Sequence, residues 1–122
     1  MVGTNYEREM RDILRDDGWV VFRSAGSFVC DLIALKIGEH RLVEVKSTKF
    51  DNFYTSNNKQ EKEQFDLLNN YAKQGFNVFY YIRWKGKGKI KWNLYQLPLN
   101  PYPVFKKLDV TQQILKNHKF YK

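Results

Sequence analysis

Apolar residues recur along this chain with two different periods. Tyr6, Met10, Ile13 and Leu14 return at three- and four-residue steps, which predicts a helix over about 4–17, capped by Thr4 or Asn5 and ended by Gly18. At about 100° per residue, Glu7 falls at the edge of that apolar face beside Leu14. Arg8, Glu9, Arg11, Asp12, Arg15 and Asp16 are expected to project elsewhere. Strand-like runs follow at 19–23, 29–36 and 41–47. A tight loop at 24–27 and a turn at 37–40 make the last two runs a hairpin. Residues 47–60 (STKFDNFYTSNNKQ) are polar and aperiodic, a long loop or the lead-in to a helix. A second helix is expected over about 60–74, ended by Gly75. Its apolar residues Phe65, Leu67, Leu68, Tyr71 and Ala72 spread over roughly 160°. That is wider than one core-facing stripe, so the surplus either covers a partner subunit or lies between two layers. Strands at 77–84 and 90–97 bracket the turn KGKGK (85–89), and prolines 98, 101 and 103 mark an irregular connection. A short last helix is expected over 110–117. This order predicts a single α/β domain over 1–122, a central mixed β-sheet flanked by helices.

Composition supports a packed fold. The chain is 43% hydrophobic and 16% aromatic, which excludes a disordered polypeptide. No apolar run approaches the roughly 20 residues of a membrane helix, and no signal peptide is expected before the first helix. The single cysteine, Cys30, lies in the apolar run VCDLIAL, which points to a buried thiol in a reducing compartment. Charge adds a functional hint. Residues 1–74 carry 11 basic and 12 acidic side chains, whereas residues 75–122 carry 10 basic and one acidic, Asp109. A basic half of this kind favours a polyanionic partner, nucleic acid above all.

The chemistry is concentrated in 41-RLVEVKST-48. Residues two apart on a strand share a face, so Glu44 and Lys46 point the same way, about 7 Å apart, and Val43 and Val45 point into the opposite layer. Asp31 begins the neighbouring strand, among apolar residues. The 37–40 turn opposes it to position 46, one step from Glu44. Buried carboxylates are costly unless paired or bound to a cation, and two at one spot repel. Hard oxygen donors with few competing His or Cys groups suit Mg²⁺, or Mn²⁺ in its place, and leave zinc aside. A lysine beside such an ion can orient an attacking water or offset developing phosphate charge. Glu7, on the inner edge of the first helix, supplies a third acid. The alternative is a buried Lys46–Asp31 or Lys46–Glu44 ion pair with no catalytic role. The whole constellation reads as metal-dependent phosphodiester hydrolysis.

Four segments carry a family resemblance: G-x-x-x-ERE (Gly3, Glu7–Glu9), RSAGS (23–27), DLIAL (31–35) and EVKSTK (44–49). In this order and spacing the chain resembles archaeal Holliday junction resolvases of the Hjc type, within the PD-(D/E)xK nuclease superfamily. The likeness covers most of the chain and is strongest over 3–49. It implies a restriction-endonuclease-like nuclease core. It implies that Asp31 and Glu44, with the Val45 carbonyl, hold the metal and that Lys46 positions or activates the water. Glu7 would complete the site and Ser27 would sit on a loop near the scissile phosphate. Arg8 and Arg23 would contact DNA or support the site. Cys30 stands where the superfamily's name expects proline, and the Lys- and Tyr-rich C-terminal third matches less clearly.

The function expected is therefore a homodimeric, Mg²⁺-dependent endonuclease that cuts four-way DNA junctions by paired nicks, in the cytoplasm of an archaeal cell or of one infected by a virus. Two equivalent scissile strands suit two equivalent sites. Lys49, Lys59 and the KGKGK turn are candidates to hold the phosphate backbone, with affinity falling steeply as salt rises. The tail QQILKNHKFYK offers a glutamine and an aromatic pair to a sliding clamp, though not at clean motif spacing. The rivals are a restriction- or repair-type nuclease of the same superfamily and a module that binds branched DNA without cutting. Little room remains in 122 residues for a separate base-reading element.

Overall fold

The computed structural model describes residues 2–24 and 30–108. The order is α1 (Val2–Asp16), β1 (Val20–Arg23), β2 (Leu32–Lys36), β3 (Glu39–Thr48), β4 (Asn52–Tyr54), α2 (Lys59–Lys73), β5 (Val78–Trp84), β6 (Trp92–Gln96) and β7 (Val104–Lys106). Five strands form one sheet in the order β1-β2-β3-β5-β6. Only β3 and β5 run parallel, because α2 carries the chain back between them; the other pairs are antiparallel. The sheet is mixed, as the order of elements led us to expect. The helix expected over 110–117 lies outside the described residues.

A helix covers each side of the sheet. Met10 and Leu14 of α1 pack with Val21, Leu32, Ala34, Val43 and Val45, all buried. On the other side Phe65, Leu68 and Ala72 of α2 pack with Val78, Tyr80, Ile82 and Trp84. Strand β5 feeds both layers, which explains why its sequence is an almost continuous apolar run rather than an alternation. Asn58 starts α2, its Oδ1 accepting a 2.8 Å hydrogen bond from the Glu61 N–H.

Several sequence expectations need correcting. The hairpin turn is not 37–40 but the two residues Ile37-Gly38, with Gly38 at φ 79° and Lys36 facing Glu39. Glycine tolerates that left-handed conformation, so the strands reach two residues closer to their tip. The register pairs Leu32 with Val43. One step further brings Asp31 alongside Glu44, not position 46. The aperiodic stretch 47–60 contains β4, and the proline-rich connection contains β7. The two pair antiparallel, Phe53 against Phe105. Thr55 Oγ1 donates to the Pro103 carbonyl at 2.7 Å, and Phe105 stacks on Tyr95 at 4.3 Å between ring centroids. Strands of three residues joined across some fifty positions leave no local period to read. Glu9, expected only to project away from the apolar face, accepts from Trp92 Nε1 at 2.7 Å and pairs with Arg83 at 3.1 Å. Leu67, counted in the broad apolar arc of α2, is exposed.

Candidate active site

The end of β3 is where the charged residues meet. Val43 and Val45 face α1, so Glu44 and Lys46 face the α2 side of the sheet. Asp31, just ahead of β2, joins them there: its Oδ2 accepts from the Val45 N–H at 2.9 Å. Glu44 is 4% exposed. Its Oε2 meets Lys46 Nζ at 3.2 Å, while Oε1 is buried with no hydrogen-bond partner among the described residues. The hydroxyl of Tyr80, its cross-strand neighbour on β5, is likewise buried and unpartnered.

Electrostatics binds the group together. Burial, then the Asp31 charge, pushes the Glu44 carboxyl up to about 8, against an opposing pull from Lys46. Burial also raises Asp31, despite the Val45 amide and Lys46. Glu7 is raised by burial and by Asp31, with Arg23 and Lys46 acting the other way. Glu7 thus reaches the cluster from α1, and Arg23 Nη2 lies 3.6 Å from its carboxylate. Burial would lower Lys46, but Glu44 and Glu61 outweigh it and hold its pKa above the usual lysine value. Lys46 is an ammonium at neutral pH, a donor and a charge, not a base.

Two partners of Lys46 come from outside the sequence motifs. Glu61 Oε1 and Gln64 Oε1, on the first turns of α2, each lie 3.0 Å from Nζ. Their i, i+3 spacing puts them on one side of the helix. Asn58 three residues before Glu61 was a legible capping signal, but nothing local says that the Glu61 carboxylate turns to Lys46.

The remaining expected residues are distributed as follows. Ser27 lies outside the described residues. The described residues on either side of 25–29 are tied together, Ser24 Oγ donating to the Cys30 carbonyl and the Ser24 N–H to that of Asp31. Arg8, Lys49 and Lys59 are exposed, and Arg23 is half-buried in the cluster. The Cys30 thiol is buried, pushed up to about 12 by desolvation. Among the described residues no three His, Cys, Asp or Glu side chains form a ready metal set, and no helix is long and apolar enough to cross a membrane. Two adjacent carboxylates, one with an orphaned buried oxygen, nevertheless fit a hard divalent cation. Burial is the main cause of their raised pKa values, and a bound cation would favour the charged forms that burial disfavours.

Comparison with known proteins gives the same picture. Over 60 residues, 49% of this chain, it is 40% identical to the crossover junction endodeoxyribonuclease Hjc of Methanocaldococcus jannaschii. The chain spans 45% of the length of that relative. The solved structure of the Holliday junction resolvase Hjc from Archaeoglobus fulgidus superposes with a TM-score of 0.61 at 26% identity, covering 79% of this chain and 73% of that one. The family model for the archaeal Holliday junction resolvase (Hjc) matches residues 1–103, and the chain belongs to that family.

Proposed function

We propose that this chain is a structure-selective endonuclease that resolves four-way DNA junctions by metal-dependent phosphodiester hydrolysis. The observation that carries this reading is the Glu44 carboxylate, buried against Asp31 with one oxygen unpartnered and the other on the Lys46 ammonium. Asp31, Glu44 and the Val45 carbonyl would hold Mg²⁺ or Mn²⁺, which would supply positive charge to the scissile phosphate. Lys46, held by Glu44 and Glu61, would place its ammonium charge beside the attacking water and the phosphate oxygens. Glu7, its carboxyl raised by burial and coupled to Asp31, would take a proton from that side. In the balanced step the water oxygen bonds to phosphorus as one ester oxygen leaves, and each oxygen settles its proton with solvent or an acid of the site. Arg8, Lys49 and Lys59 are free to meet backbone phosphates; Arg23 supports Glu7.

A dimer supplies two such sites for two scissile strands. Its support here is an apolar strip on the α2 side of the sheet. Val20, Phe22 and Leu35 are 58%, 55% and 39% exposed, and Val20 pairs directly with Leu35. The strip continues through Ile33 to Leu42, which are partly buried against the α2 layer. An exposed apolar strip on an edge strand invites a second copy.

The functional test offers the protein a synthetic four-way junction and a linear duplex of the same sequence with Mg²⁺. Paired nicks in the junction alone are expected, with binding that weakens steeply between 50 and 200 mM salt, values typical for phosphate-dominated contacts. Equal cutting of the duplex would favour a restriction- or repair-type nuclease. Tight junction binding without cutting in any divalent metal would leave a binding module. For the dimer, light scattering at micromolar concentration is expected to give twice the chain mass, and Phe22→Glu a monomer that loses the pairing of nicks. A wild-type monomer would sink the dimer.

A further inference from the structure

Beside the acidic cluster lies a groove that the reaction above does not use. Ser47, Thr48, Phe50, Asn52, Tyr54 and Glu61 line it, and its volume is about 600 Å³. That is the size of a small-molecule site. Glu61 belongs to both places, since the same carboxylate pairs with Lys46 at 3.0 Å. Through Glu61 the groove therefore adjoins the group proposed to face the scissile phosphate.

Its chemistry is distinctive. Glu61 is already partnered, and the other named lining residues are hydroxyls, an amide and aromatic rings. The wall is firm: β4 is braced by β7, and Phe53 packs inwards against the α2 layer. Phe50 and Tyr54 are left 66% and 45% exposed. The rim is basic. Lys49 Nζ sits 5.5 Å from the Phe50 ring centroid. The 85–89 turn is fastened beside it, the Lys85 N–H donating to the Thr48 carbonyl at 2.8 Å, with Gly86 close against the Lys49 backbone. Lys107 Nζ reaches the Lys87 carbonyl at 3.3 Å. Lys49 thus sits beside the exposed Phe50 ring, with the lysine-rich 85–89 turn fastened next to it and Lys107 held between the Lys87 carbonyl and Asp51, 4.0 Å away.

Exposed rings offer a stacking surface, hydroxyls and an amide offer hydrogen bonds to a planar polar edge, and lysines on the rim suit phosphates. Together these are the requirements of a nucleotide whose base has left its stack. Resting on the endonuclease reading above, we infer that the 47–61 groove receives an unpaired nucleobase from the DNA strand to be cut, with Phe50 and Tyr54 stacking on it. A branch point exposes such a base at less cost than a continuous duplex, so the groove would contribute to selection of branched over linear DNA. Phe50 and Tyr54 are specificity-determining residues in this view, apart from the groups proposed to act on the phosphate.

The test uses two four-way junctions, one intact and one with abasic residues at the nucleotides flanking the branch point. Binding by wild type, Phe50→Ala and Tyr54→Ala is measured without divalent metal, and nicking with Mg²⁺. Both side chains are exposed, so circular dichroism is expected to match wild type. On the intact junction each variant is expected to bind about tenfold more weakly, the scale of one base–aromatic stack. On the abasic junction variants and wild type are expected to agree within about twofold. A 2-aminopurine at the flanking position is expected to brighten on binding wild type and not Phe50→Ala. Equal losses on both junctions, or none on either, would overturn the groove's role. Junction cutting that ignores Phe50 and Tyr54 rejects the groove and keeps the nuclease. Base-dependent binding without cutting rejects the nuclease and keeps the groove. No binding to either junction overturns both.

Discussion

Lys46→Ala is expected to slow junction nicking by at least about 10²–10³-fold while leaving junction affinity within a few-fold of wild type. The lower bound is the usual loss on removing one preorganised donor from a developing anion. Affinity is expected to survive because Lys46 faces inward, held at 3.0–3.2 Å by Glu44, Glu61 and Gln64, whereas the cations proposed for the backbone phosphates are exposed. Lys46→Arg is not expected to restore the rate. A planar guanidinium cannot replace a compact ammonium shared by three oxygens converging from a strand and a helix. The measurement is single-turnover cleavage with enzyme in excess, beside a mobility-shift titration. The substitution also leaves three carboxyl groups, Asp31, Glu44 and Glu61, without their common cation. A fall in thermal stability at neutral pH is therefore expected as well, and the cleavage rate must be read at a temperature where circular dichroism shows the variant folded. A rate within tenfold of wild type in folded protein would reduce Lys46 to a structural ion pair, the alternative that the sequence left open.

That alternative could not be settled from sequence for a physical reason. The strand period alone places Glu44 and Lys46 on one face, because backbone pleating fixes it. Helical spacing likewise located Met10 and Leu14 in the core and Glu7 at its margin. The meeting of Asp31 with Glu44 depended on turn length, and Gly38 at positive φ allowed a two-residue turn where four residues had looked plausible. The error was two residues along β3, which keeps the face, so the right residues were named in the wrong register. Glu61 and Gln64 were missed altogether. Their approach to Lys46 depends on how α2 lies across the sheet, a tertiary fact that no local pattern encodes. The same holds for Glu9, an ordinary surface acid by spacing that finds Arg83 and Trp92 only after β5 and β6 are in place. The β4–β7 pair joins two stretches that look like loops separately.

Glu44→Gln is expected to remove nicking and, without metal, to make the protein more stable at alkaline pH than wild type. Glu44 has a folded-state pKa of about 8 against the usual 4.5. Between those values the folded protein keeps a proton that the unfolded chain releases. Wild-type stability without metal therefore falls as pH rises from about 4.5 to 8, by up to about 1.4 kcal/mol per pH unit. Asp31 and Glu7, also raised, act in the same direction. Lys46 does not contribute in this window, because it stays charged throughout it. Glutamine has the shape of the protonated acid and cannot ionise, so the variant loses this part of the slope. At pH 8.5 its melting temperature is expected to exceed that of wild type by on the order of 10 °C, and at pH 5 the two are expected to converge. Divalent metal should reverse the order. Ligands bind as carboxylates, so Mg²⁺ or Mn²⁺ is expected to stabilise wild type more at pH 8.5 than at pH 6, and Glu44→Gln little at either. Thermal melts at four pH values, with EDTA and with metal, give all of these comparisons. The loss of nicking is expected to exceed the roughly 10–100-fold typical of residues that only support a metal ligand. A flat pH dependence for the metal-free wild type would refute the burial of a strained carboxyl at the end of β3. Metal stabilisation of Glu44→Gln equal to that of wild type would remove Glu44 from the ligand set and leave the cation to be held elsewhere.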